Sequence, residues 1–158
     1  MCSTCGLVVD RSWIDPAFEL RDSRFDASYT YDGYLIVSDR FRLLTDGPGA
    51  RFIPLPSSPG FYSLVVDDRV QFDAVRRKTV FEQPCGECGR FFTVVGATPV
   101  VLKVHGPLGN QLYRTDIEFG TGNEQHPLIL VGPDLAARLQ EESLAGVDLQ
   151  PVTGDDAP

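Results

Sequence analysis

All four cysteines of this 158-residue chain fall in two copies of one short pattern, Cys-x-x-Cys-Gly. The first is "CSTCG" at Cys2–Gly6 and the second "CGECG" at Cys85–Gly89. A turn of this kind aims two sulfurs at one point, and the glycine behind them lets the backbone fold tightly beneath. Two such knuckles supply four thiolates, the complete tetrahedral set of a closed structural zinc site. Cys2, Cys5, Cys85 and Cys88 are therefore the predicted ligands of a structural Zn2+ ion. With sulfur in every position there is no room for an activated water, so the metal is not expected to be catalytic.

Other uses of paired cysteines fit less well. A thioredoxin-like pair follows a strand and opens a helix, whereas Cys2 has only Met1 before it and "GRFFTVV" after Cys88 reads as a strand. Disulfides closed within each pair would strain small loops and stabilise little. An iron–sulfur cluster also takes four cysteines and stays open at this stage. A metal shared between the knuckles would staple the first residues of the chain to a hairpin beyond its midpoint. Closing so long a loop is worth roughly 4–5 kcal/mol on the chain-entropy argument for cross-links. Zinc binding supplies about 10–16 kcal/mol in small peptides.

Charge narrows the partners. Asp and Glu number 22 against 14 Lys and Arg, a formal net charge of −8. That balance attracts basic partners and disfavours nucleic acid. There is no basic start followed by an apolar run, as a secretory signal requires. Nor is there a stretch of about 18 apolar residues, as a membrane helix requires. The expectation is a cytoplasmic protein with reduced thiols, no membrane partner and no nucleic-acid partner.

The expected fold class is α+β: a mostly antiparallel β-sheet with two short helices, each in a strand–helix–strand unit, and the zinc knuckle pair tethering the N-terminus. Residues 1–152 are read as one domain and the acidic 153–158 as a disordered tail. In the first unit, Tyr34–Val37 is a strand, Ser38 or Asp39 caps a helix with Phe41, Leu43 and Leu44 partly inward, and Arg51–Leu55 resumes as strand. In the second, Leu128–Val131 is the strand and Pro133 opens the helix. Leu135, Leu139 and Leu144 form its apolar stripe, Gly146 ends it, and Val147–Val152 returns as strand. The two units echo one another, with Ile36 over Leu130 and Pro54 over Pro151. Between them, "GFYSLVV", "RVQFDAV", "KTVFE", "RFFTVVG", "PVVLKV" and "YRTDIEFG" read as strands, with the second knuckle at a hairpin tip. Trp13 and Phe18 are read as anchors that pack the N-terminal segment down.

No catalytic constellation is apparent. His105 and His126 lie at turn signals without a nucleophile or carboxylate at motif spacing. "GTGNEQH" at Gly120–His126 lacks the Lys-Ser/Thr ending of a phosphate loop and reads as a plain loop. The basic "VRRK" at Val75–Lys78 reads as a solvated strand edge.

The paired Cys-x-x-Cys-Gly elements, the second followed by Arg90, resemble the double-CXXCG motif family. The ending "GNEQHPLILVGPDLAARLQEESLAGVDLQPV" is also similar to the C-terminal part of that family. The family is expanded in myxobacteria and includes immunity proteins against toxins delivered on contact between cells. The resemblance implies metal-binding cysteines, no enzymatic activity, and neutralisation of a cognate toxin; the net charge of −8 suits a toxin with a basic surface. The acidic run Asp10, Asp15, Glu19, Asp22 and Asp26 is the candidate partner surface. The alternative is a zinc-ribbon accessory module for nucleic acid or transcription, which would need a basic face near the knuckles.

Overall fold

The computed structural model describes residues 1–104 and 106–152. His105 and the acidic tail expected at 153–158 lie outside the described residues. The fold is α+β, with mostly antiparallel strands and three short helices.

The first sheet has the order β1 (Ala27–Tyr29), β2 (Leu35–Ser38), β4 (Phe61–Val66), β3 (Ala50–Pro54), antiparallel throughout. β2 is the buried, β-branched run expected from the sequence, with Ile36 3% and Val37 0% exposed. It leads into helix α1 (Asp39–Thr45), which is capped by Ser38, whose hydroxyl accepts from the Phe41 amide. Phe41 points into the core, but Leu43 is 67% exposed and does not share the inner face assigned to it. Helical spacing explains the difference, since residues two apart do not face the same side.

The second sheet is built on the long strand β8 (Leu112–Thr121). β5 (Arg69–Val70) pairs parallel with its first half, and β7 (Phe91–Val95) pairs antiparallel with its end. β6 (Val80–Pro84) extends β7, and β9 (His126–Val131) runs antiparallel along β8 with a register shift between Arg114 and Glu118. The hairpin β6–β7 holds the second knuckle at its tip, as the sequence indicates. Two predicted middle strands are largely absent. "RVQFDAV" is strand only at Arg69–Val70. Asp73 then caps a one-turn helix α2 (Ala74–Arg77) by accepting from the Arg76 amide. The basic "VRRK" is therefore helix and turn, not strand edge, because a capping aspartate precedes it. "PVVLKV" forms no strand and is held by isolated bridging, as from Leu102 to Phe72.

After β9, helix α3 (Pro133–Glu141) opens on Pro133 and buries Leu135 and Leu139. Leu144 joins them from the turn that follows. These leucines pack with Phe41, Val37, Leu64, Val66 and Leu112, so α1 and α3 share one core with the first sheet. The predicted strand at Val147–Val152 does not form. The chain instead turns toward β1, where the Asp26 amide donates to the Ala145 carbonyl at 2.8 Å, and Val147 and Leu149 pack without a strand partner. The echo between the two units thus extends through strand and helix and stops there.

Candidate metal centre

Each knuckle is built by the same pair of backbone bonds. In the first, the Cys2 amide donates to the Leu7 carbonyl at 2.9 Å and the Gly6 amide to the Cys2 carbonyl at 3.0 Å. In the second, Cys85 donates to Arg90 at 2.8 Å and Gly89 to Cys85 at 2.9 Å. Gly6 and Gly89 take φ of +71° and +70°. A Cβ at either would meet no atom within 4 Å, so the left-handed backbone, not space, selects glycine there.

The two turns face one another and their four sulfurs lie within 4.8 Å of each other. The Cys2 and Cys85 sulfurs are 3.9 Å apart, and those of Cys5 and Cys88 are 3.7 Å apart. A disulfide would need about 2.05 Å, so all four thiols are free. Four sulfurs at about 2.3 Å from a common centre in tetrahedral array stand roughly 3.8 Å from one another. The spacing fits that requirement, and the four cysteines can hold a metal ion. Cys2 and Cys85 are buried while Cys5 and Cys88 are half-buried. Every predicted ligand is thus brought to one point.

Two of the sulfurs sit in opposite electrostatic settings. The backbone N–H groups of Cys88 and Glu87 point at the Cys85 sulfur and hold its pKa down to about 7. At Cys5 a bond from the Leu7 amide works the same way. Burial and hydrogen bonds among the sulfurs outweigh it and push that thiol up to about 12. Four clustered thiolates repel one another unless a cation sits between them.

Polar groups within and beyond the motifs lock the knuckles to one another and to the sheets. Ser3 and Thr4 donate to the Glu87 carboxylate, joining one knuckle to the other. Arg90 donates to the Val8 carbonyl at 2.8 Å and also reaches Glu118 on β8. Arg11 donates to the same carboxylate at 2.9 Å. Asn123 accepts from the Val8 amide at 2.7 Å and returns a bond to the Gly6 carbonyl. Gln125, only 2% exposed, donates to the carbonyls of Phe91 and Phe92 beyond the second knuckle. None of Glu118, Asn123 and Gln125 stood out in the sequence. Loop amides and a strand glutamate carry no spacing signature, and "GTGNEQH" is in fact the clamp over residues 6–8.

The other sequence-flagged residues scatter. His126 opens β9, not a loop, and stacks on the Tyr29 ring with centroids 3.7 Å apart. Phe18 packs by Ile14, Ile36 and Leu55, as an anchor should, but Trp13 is 65% exposed and is not buried in that cluster. Of the acidic run, Asp10, Asp15, Glu19 and Asp22 are exposed. Asp26 is not available to a partner. Its carboxylate accepts from the Ser38 hydroxyl at 2.7 Å and the Ala145 amide at 2.9 Å, tying α1 to the C-terminal turn.

The chain matches no protein-family model, no curated protein and no solved structure. No helix among the described residues is long and apolar enough to cross a membrane.

Proposed function

We propose that the protein is a non-enzymatic, cytoplasmic immunity protein that binds and neutralises a cognate toxin, with Zn2+ as the structural ion of its four-cysteine centre. The observation that carries this reading is the centre itself. Two Cys-x-x-Cys-Gly turns converge from distant parts of the chain into one sulfur cluster, the arrangement that the resemblance to double-CXXCG immunity proteins implies. Zinc is favoured over other ions because four thiolates in tetrahedral spacing suit a soft, redox-silent cation, and a reducing compartment keeps them free.

A neutraliser works through a rigid surface and needs no reacting group. The net charge of −8 supports a basic partner, steered by long-range attraction. The contact surface we assign is the segment that follows the first knuckle. There Asp10, Asp15, Glu19 and Asp22 are exposed, and so is Trp13. A solvent-exposed tryptophan among carboxylates is the composition of an interface anchor with a charged rim. The zinc-ribbon alternative has less support, because Arg90, which directly follows the second knuckle, is turned inward onto Glu118 and Val8.

The test is co-expression with the product of an adjacent toxin gene. Cells should survive with the intact chain, and a Trp13→Ala variant carrying Asp15→Asn and Glu19→Gln should bind the toxin at least about tenfold more weakly, measured by calorimetry. Killing unchanged by the intact chain would sink the immunity reading. Full affinity in the triple variant would move the surface elsewhere.

A further inference from the structure

The two sheets leave a cleft of about 260 Å³, lined by β4 on one side, by β8 and β9 on the other, and by residues 9–12. Its cations are Arg11, Arg51, Arg69 and Arg114. Its carboxylates are Asp10, Asp67 and Glu118. So many arginines in one cleft stand out in a chain whose overall charge is −8.

Two of the four are already engaged. Arg51 donates to both oxygens of Asp67 at 2.7 and 3.0 Å, and Arg11 to Glu118 at 2.9 Å. Asp10 accepts from the Ser12 amide at 2.7 Å. Arg69 and Arg114 differ. They are register partners on the neighbouring strands β5 and β8, so their side chains stand side by side. Neither guanidinium makes a hydrogen bond among the described residues. The one ionic contact of the pair is Arg114 to Glu118 at 3.8 Å, and Glu118 is already shared with Arg11 and Arg90. Burial first, and then the Arg69 charge, pull the Arg114 pKa below its ordinary value, against the opposing pull of the Glu118 and Asp67 carboxylates.

A second observation points into the same space. Ser63 on β4 is 1% exposed and lines the cleft. Its hydroxyl has no hydrogen-bond partner among the described residues. A hydroxyl both donates and accepts, so one lining the cleft can bond a phosphate oxygen placed there.

We propose that this cleft is a binding site for a small phosphomonoester, whose phosphate is held by Arg69 and Arg114 and reached by the Ser63 hydroxyl. Two neighbouring guanidinium groups present forked N–H donors that match a tetrahedral dianion. A volume of about 260 Å³ admits a phosphate on a small organic body and excludes a polymer. The site is independent of the toxin-binding reading and uses none of the residues assigned to that surface except Asp10 at its rim.

The experiment is a calorimetric titration of the full, metal-replete chain with ribose 5-phosphate, inorganic phosphate and citrate, at constant ionic strength in sodium chloride. Saturable binding of both phosphates is expected, with ribose 5-phosphate the tighter. Arg69→Ala, an exposed position whose loss leaves the core intact, should weaken it about tenfold or more. Ser63→Ala should weaken it less. Arg24→Ala, outside the cleft, should change nothing. Absence of saturable phosphate binding, equal binding in the Arg69→Ala and Arg24→Ala variants, or citrate binding more tightly than either phosphate would each overturn the assignment.

Discussion

Cys85 occupies the most constrained position in the centre. Its sulfur is buried, takes two backbone N–H groups and lies 3.9 Å from Cys2. Replacing it with serine keeps the turn but swaps a soft thiolate for a hydroxyl that remains protonated at neutral pH. One metal ion per chain is expected for the intact protein by elemental analysis, and well under half an ion for Cys85→Ser. Because metal binding and folding are linked, the variant should also unfold at lower urea. A fully metal-loaded Cys85→Ser protein would contradict a four-sulfur site.

At the scale of elements, Glu118 on β8 joins what the motifs alone would leave apart. It receives Arg11 from the segment after the first knuckle, Arg90 from the second and Arg114 from its own strand. The group is largely shielded, with side-chain exposures of 14% for Arg11, 21% for Arg90 and 19% for Glu118. Neutralising it leaves three cations crowded with no shared counter-charge. Glu118→Gln should therefore destabilise the protein by about 3 kcal/mol, read from urea denaturation. The exposed pair Arg24–Asp22, by contrast, should be worth little, since surface ion pairs are screened. An equal effect of Glu118→Gln and Asp22→Asn would mean that β8 does not bind the knuckles together through this carboxylate.

For the whole molecule, stability should depend on both metal and acid. Arg42 and then Tyr62 hold the Asp39 carboxyl below its ordinary value, Arg51 does the same for Asp67, and Thr4 and Ser3 do so for Glu87. A carboxyl whose folded pKa is depressed gives its full stabilisation above the unfolded value and loses it as pH falls through the folded one. The melting temperature should therefore hold from neutral pH to about 5 and fall below about 4. Metal adds a second acid-sensitive contribution, because protonated thiols release it. Melting curves with and without a chelator separate the two. Chelation should lower the curve at neutral pH, and the carboxyl-driven fall should persist in the stripped protein. Hydrogen exchange in the stripped protein should rise first at residues 2–12, which the centre, Asn123 and the Glu118 cluster hold in place.

Local chemistry in the sequence was enough for the knuckles, the hairpin tip that carries one of them, strands such as Leu35–Ser38 and Phe61–Val66, the Ser38 cap and the Pro133 helix start. Each depends on near neighbours in the chain: a spacing of cysteines, a glycine with positive φ, a β-branched run, a cap. What the tertiary structure alone decided depends on residues far apart in sequence. Val147–Val152 has strand-like residues but pairs with no strand, and Trp13 is apolar yet largely uncovered. Glu118 becomes a hub, and Arg69 and Arg114 neighbouring cations of one cleft, only because two sheets meet beside a segment fixed by four sulfurs. Charge and burial are properties of surroundings, and the chain acquires those surroundings only on folding.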